Sequence, residues 1–297
     1  MVVRIMNVEK KKKLLKITKS ISFLAPSGLG VLAFFIIPFL VIVYYSIIDN
    51  PIQTNFVGVK NYVQLAHNQA FLQALGNTFR FSVIAVPLAV ILPLLLAMLL
   101  DCRIPGKSIF RTIYISPLVV PVASVVLVWQ VMFDKNGALN SIIKGMGADP
   151  VNWMDSVYNQ FIVLSLFLWK NLGYNMILFM TGLGNIPMEL IEVAKLENAS
   201  SWQIFWKIKI RYLSSTVFFV MIISLINSFK IFREVYLLTG GYPYGNIYYL
   251  QHFMNNQFEK LDYSKISTAA VIMSVFMVII IGLLFIVEDK FGKEVEE

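Results

Sequence analysis

Apolar positions in this chain fall in long blocks, and most polar positions lie in the stretches between them. Six apolar runs stand at about Ser22–Ile48, Thr78–Leu100, Thr112–Phe133, Phe161–Leu183, Leu213–Phe232 and Ile266–Val287. Each matches the ~20 residues that an α-helix needs to cross a hydrocarbon core. Backbone groups inside lipid have no water to bond, so the runs are expected to be helices. Pro38, Pro87, Pro93, Pro117 and Pro121 fall within them and predict local kinks. The first run exceeds the ~7–15 residues of a cleaved signal segment and is read as a retained span. No repeat of 20–50 residues and no Gly/Ser linker divides the chain. The expected fold is an all-α membrane protein. A basic segment (1–20) precedes one six-span domain (21–288), and a short tail (289–297) follows it.

Composition supports the same class. Of 297 residues 58% are hydrophobic and 14% charged, against roughly 25% charged in soluble domains. The net charge of +8 would suit nucleic acid, but its largest block, Lys10–Lys13 with Lys16 and Lys19, lies just ahead of the first run. That is a cytoplasmic membrane flank, and no nucleic-acid partner is expected. With the amino terminus inside, inner segments hold that block together with Arg4, Arg103, Lys107, Arg111, Lys195, Lys207, Lys209, Arg211, Lys290 and Lys293. Outer loops hold fewer, among them Lys60, Lys135, Lys144, Lys260 and Lys265. The asymmetry places both termini in the cytoplasm of a bacterial cell, with the chain in its membrane.

Catalytic chemistry finds little support. The single cysteine, Cys102, cannot form an intrachain disulfide, and His67 and His252 lie far apart in polar loops, where they read as solvated residues. The chain contains no G-x-x-x-x-G-K-[ST], H-E-x-x-H or G-x-S-x-G. No catalytic residue, metal site or cofactor is expected.

The polar loop at about 187–211 stands out. Pro187 suits a first helical turn, and Glu189 and Glu192 follow near its positive end. Asn198 tolerates the left-handed conformation that closes a helix. Ser200-Ser201-Trp202-Gln203 has capping-box spacing, so a second helix begins there. A helix, a sharp corner and another helix are therefore predicted. The loop is either an interfacial connector or a docking element for a cytoplasmic partner.

This loop, Glu192-Val193-Ala194-Lys195-Leu196-Glu197-Asn198-Ala199, resembles the EAA motif of ABC-transporter permease subunits. Gly58-Val59-Lys60-Asn61-Tyr62 with Asn77-Thr78-Phe79, and Ser228 through Phe232 with Leu238 through Pro243, are similar to flanking patterns of the maltose and glycerol-phosphate permeases. The resemblance runs from about Ile21 through the sixth span. It implies a pathway shared with a second permease subunit, a cytoplasmic ABC ATPase dimer beneath, and an extracytoplasmic binding protein above. It also implies that Glu192, Ala194, Glu197, Asn198, Ala199 and Trp202 form a coupling helix between the fourth and fifth spans. Asn198 stands where the motif has glycine, Arg211 where it has proline, and Val193 where it has alanine. These departures imply an altered fit to the ATPase.

Polar residues within spans are functional candidates because each is costly in lipid. Lys170 through Asn175 in the fourth span, and Ser224, Asn227, Ser228 and Lys230 in the fifth, are such residues. Tyr and Asn offer the aromatic faces and hydrogen bonds that sugars need. The resemblance places the sugar site at Gly173, Tyr174, Asn175 and Asn227, and Ser224, Ser228 and Lys230 complete the pathway set. The competing reading is helix–helix hydrogen bonding within the bundle. For cargo, a polyol phosphate or other small solute is the alternative to a sugar, since Lys170 and Lys230 suit an anion. A self-sufficient secondary carrier is the remaining rival, although the spans carry almost no acidic residues apart from Glu234.

Overall fold

A computed structural model describes residue 20, residues 22–101 and residues 106–296. The basic block ahead of the first span, Cys102 and Arg103 lie outside the described residues. In chain order the elements are α1 (Ser22–Ser46), α2 (Lys60–Ala66), α3 (Gln69–Asp101), α4 (Lys107–Ile115), α5 (Val122–Phe133), α6 (Ala138–Gly145), α7 (Asn159–Gly184), α8 (Met188–Leu196), α9 (Ser201–Ile204), α10 (Ile210–Tyr212), α11 (Ser214–Phe229), α12 (Phe232–Thr239), α13 (Leu250–Glu259) and α14 (Tyr263–Glu296). Among the described residues, five stretches are straight enough, long enough and apolar enough to cross a membrane: α1, α3, α7, α11 with α12, and the Tyr263–Asp289 part of α14. The chain divides into two compact units. One comprises the described part of Met1–Leu65 with Leu261–Ile272, and the other Ala66–Lys260 with Met273–Glu297.

The third apolar run, Thr112–Phe133, is bent at the two prolines that predict a kink there, far more sharply than a local kink. Helical structure over Lys107–Leu118 meets that over Val122–Gly145 at a 99° bend. Pro117 and Pro121 stand four residues apart, so Pro121 would drive its ring into the Pro117 carbonyl if the helix continued. Ser116 Oγ donates to the Ile113 carbonyl (2.8 Å), the very group that Pro117 cannot reach. Pro87 and Pro93 do not break α3. Helical backbone continues past the sixth run through Glu296.

In the larger unit α3 packs between α7 and α11. Lipid tails supply no hydrophobic drive between helices, so close approach relies on small residues and interhelical hydrogen bonds. Ala85, Ala89 and Ala97 of α3 are essentially buried. They let α7 and α11 close on α3 over Phe81, Phe167, Val90, Phe179 and Val220. Near the N-terminal end of α3, the buried Asn77 donates to the Tyr248 carbonyl (3.0 Å), and the Leu250 N–H donates to Thr78 Oγ1 (2.9 Å). That arrangement seats α13 on α3.

The α13 corner overturns the solvated reading of His252. It lies in α13, fully buried, with its ring edge-on to Phe232 at 4.7 Å between centroids. Its Nδ1 accepts from the Tyr249 N–H (3.3 Å). Burial lowers the His252 pKa to about 4, so the ring stays neutral. His67 is exposed, as expected.

In the smaller unit, α2 is tied to the end of α1. Asn61 Nδ2 donates to the Ser46 and Ile48 carbonyls (3.0 and 2.7 Å), and Tyr62 OH bonds Ser46 Oγ (2.7 Å). Gly58 (φ 57°) supplies the left-handed turn just ahead of α2. Ser264 Oγ donates to the Asp49 carbonyl (2.8 Å).

Candidate functional site

The polar loop folds as its sequence predicts. Helix α8 starts at Met188, with Pro187 immediately before it and Glu189 in the first turn. It ends at Asn198, whose φ is 60°. The Ala199 N–H donates to the Ala194 carbonyl (2.9 Å) and the Asn198 N–H to Lys195 (3.1 Å). These are the paired bonds of a Schellman closure, with Asn198 at the position usually held by glycine. The capping box follows. Gln203 N–H donates to Ser200 Oγ (3.3 Å) and Ser200 N–H to Gln203 Oε1 (2.8 Å). A π-helical turn at Phe205–Lys209 then carries the chain from α9 into α10.

The elbow so formed is locally over-determined. Ala194 is buried, as is Ile204. Glu192, Glu197 and Trp202 are exposed, and Ala199 is half-buried. A concavity of about 340 Å³ lies in its bend, lined by Ala194, Glu197, Asn198, Ala199, Gln203 and Lys207 among others. Trp202, Phe205 and Trp206 stack on one another at centroid distances of 5.1–6.2 Å, giving the outer side of the elbow a stiff aromatic ridge.

The span residues divide by position. Asn175, Ser224 and Ser228 are fully buried and bonded across helices. Asn175 Nδ2 donates to Ser224 Oγ (3.0 Å) and to the Ala89 carbonyl (2.7 Å). Ala89 is four residues before Pro93, so Asn175 satisfies the carbonyl that the proline leaves open. Ser228 Oγ bonds Ser82 Oγ (2.8 Å), and Asn227, half-buried, donates to Asn171 Oδ1 (2.7 Å). Gly173 lies directly under α4, where a Cβ would stand 1.8 Å from the Tyr114 carbonyl oxygen. Tyr174 (38% exposed) and Lys230 are exposed. The structure thus joins Asn171, Asn175, Ser224 and Asn227 in contacts between α7 and α11, and leaves Tyr174 and Lys230 on outer faces.

One contact in this region was not legible in the chain. Lys170 Nζ forms an ion pair with Glu234 Oε1, joining the middle of α7 to the first turn of α12. The Glu234 side chain is 4% exposed and that of Lys170 41%. The pair lines a small cavity of about 100 Å³ with Pro117, Leu118, Val120 and Trp169, at the bend between α4 and α5. Trp129 of α5 stacks on Trp169 at 5.3 Å. The sequence signal was Glu234 itself, the acidic residue at the edge of a run with no other acidic residue.

Residues 63–293 match the family model of the binding-protein-dependent transport system inner membrane component. The chain belongs to this family. Among relatives of the permease, the arabinooligosaccharides transport system permease protein AraP of Bacillus subtilis is 32% identical over 233 residues, 76% of this chain and 73% of that one. The osmoprotective compounds uptake permease protein GgtC of Synechocystis is 29% identical over 264 residues, 86% of this chain and 94% of that one. A bacterial alginate ABC transporter, solved in complex with an alginate pentasaccharide-bound periplasmic protein, contains a chain of the same fold. The TM-score is 0.82 at 18% identity, covering 95% of this permease and 98% of that chain. The permease is therefore a multi-pass membrane component of a transport system.

Proposed function

We propose that this permease subunit forms part of the translocation pathway of an ATP-driven importer for a sugar or oligosaccharide, delivered by an extracytoplasmic binding protein. In this reading the α8–α9 elbow is the coupling element. Glu192, Ala194, Glu197, Asn198, Ala199 and Trp202 meet a separate ATPase subunit on the cytoplasmic side, where the Lys/Arg asymmetry also places both termini. A second permease subunit completes the pathway. Tyr174 and Asn227, with Gly173, Asn175, Ser224, Ser228 and Lys230 behind or beside them, form its polar wall.

The observation that carries the coupling role is the elbow itself. Two short helices are locked by a Schellman closure and a reciprocal capping box, so a push on α8 is transmitted to α11 without bending the corner. Sugar as cargo is supported by relatives such as AraP, and by the trehalose/maltose transport system permease protein MalF of Thermococcus litoralis, 28% identical over 241 residues. GgtC keeps a small osmoprotective solute as the second reading. An anionic polyol phosphate is disfavoured because Glu234 already occupies Lys170.

The test is purification of the tagged chain from its own cells in mild detergent, followed by ATP-dependent uptake in proteoliposomes. Recovery with an ATPase and a second six-span chain supports the reading. Glu192→Arg is expected to abolish ATP-linked uptake while the protein stays in the membrane. Full uptake by that variant would refute the docking role.

A further inference from the structure

Lys170 sits midway along a membrane-crossing helix with 41% of its side chain exposed. An ammonium at that depth does not face lipid, because the cost there is several kcal/mol (about 2.5–3.5 on insertion scales). Lys170, Tyr174, Ile177 and Thr181 follow one another at i, i+4, i+7 and i+11, so they share one face of α7. Tyr174 and Thr181 are exposed on it. Beside this face lies the α4–α5 break, where Leu118, Val119 and Val120 are 46%, 81% and 40% exposed. Non-helical backbone at membrane depth persists only where protein covers it or water reaches it. Polar side chains and an open backbone thus converge on one wet surface, and Glu234 is buried directly behind this mid-span cation.

We infer that the Lys170–Glu234 pair is the charge-selecting contact of the pathway, tuned for uncharged polyhydroxyl cargo. Lys170 keeps N–H donors for hydroxyl oxygens after bonding one carboxylate oxygen, since an ammonium has three. Glu234 cancels its charge, so an anion gains little there and must compete with a carboxylate that is already seated. Trp169, Trp129 and Tyr174 add the apolar faces on which a sugar ring rests. Lys230 and Arg233, also exposed, contribute a constant background that the pair does not control. This inference rests on the pathway reading above, and the experiment separates the two.

The reporter is Tyr174→Cys in a Cys102→Ser background, assembled with its partner subunits in native membranes. It is labelled with an anionic (sulfonatoethyl) and a cationic (trimethylammonioethyl) methanethiosulfonate. A charge one helical turn away, at about 6 Å, acting through an effective dielectric of about 40–80, alters local ion concentration about three- to tenfold. Adding Glu234→Gln is expected to raise the anionic-to-cationic rate ratio by the square of that factor, about ten- to a hundredfold, because the anion is enriched as the cation is depleted, and adding Lys170→Gln to lower it. If Glu234→Gln does not accumulate, the reversed pair Lys170→Glu with Glu234→Lys decides, because its exposed end is then negative and the ratio must fall. Labelling with an unchanged ratio in every charge variant overturns the selectivity inference and leaves the pathway standing. A reporter shielded from both reagents, with and without ATP, overturns both.

Discussion

Gly173 provides the sharpest test of the packing around the pathway face. In Gly173→Ala the new methyl would stand 1.8 Å from the Tyr114 carbonyl oxygen and 2.7 Å from its carbonyl carbon. Ordinary C···O contacts lie near 3.3 Å, so α4 would have to retreat by about 1.5 Å. Both atoms are backbone, and no rotamer relieves the clash. Overpacking of this kind costs about 1–3 kcal/mol, at the upper end where backbone must move. Alanine recovers about 1 kcal/mol of helix propensity. The net expectation is a loss of about 1–2 kcal/mol, equivalent to a fall of about 2–8 °C in melting temperature for a chain of this size. The assay is thermal denaturation of a fluorescent fusion in detergent, followed by size-exclusion chromatography. Gly76→Ala is the control, since a Cβ there meets nothing within 4 Å, and it should melt at or slightly above wild type. Equal melting of Gly173→Ala and Gly76→Ala would refute the close approach of α4 to α7.

Three further outcomes are expected. Asn198→Gly should retain ATP-linked uptake, whereas Asn198→Val, forced to φ near 60°, should lose about 1–2 kcal/mol at the corner and most coupling; equal uptake by the two would contradict the Schellman assignment. Ser200→Ala should cost about 1 kcal/mol, read as faster hydrogen exchange at the Gln203 amide, and unchanged exchange would argue against the cap. His252 has a pKa lowered to about 4 in the folded corner and about 6.5 when exposed. The α13 corner is therefore fully stable above pH 6.5 and weakens as pH falls toward 4, by up to about 3 kcal/mol. Hydrogen exchange of α13 amides should show that slope, and His252→Gln should abolish it.

What the chain revealed in advance was what local physics dictates. The Asn198 corner and the Ser200–Gln203 box depend on residues within one or two turns, so spacing alone predicted both. Long apolar runs likewise announced their helices. Pro117 and Pro121 announced a kink in the third span, but the unbroken hydropathy of Leu118-Val119-Val120 gave no sign that two prolines four apart turn it through 99°. Single prolines in α3 caused no break, since α7 supplies Asn175 to the carbonyl opened by Pro93. His252 was misread because loop polarity was taken as solvent contact. Tyr248 and Tyr249 are local neighbours, but Phe232, 20 residues away, meets the ring only after α12 and α13 fold back. Lys170 and Glu234, 64 residues apart, pair for the same long-range reason.

The bonds linking α3, α7 and α11 set a mechanical register. Asn175 reaches Ala89 and Ser224, Asn227 reaches Asn171, and Ser82 meets Ser228, each at 2.7–3.0 Å. Sliding one helix past another by a turn, 5.4 Å, would strand these groups together, at about 1–3 kcal/mol for each left unbonded. Tilting the three as a block strands none. The three spans are therefore geared to move together, and relative motion is left to the proline break between α4 and α5.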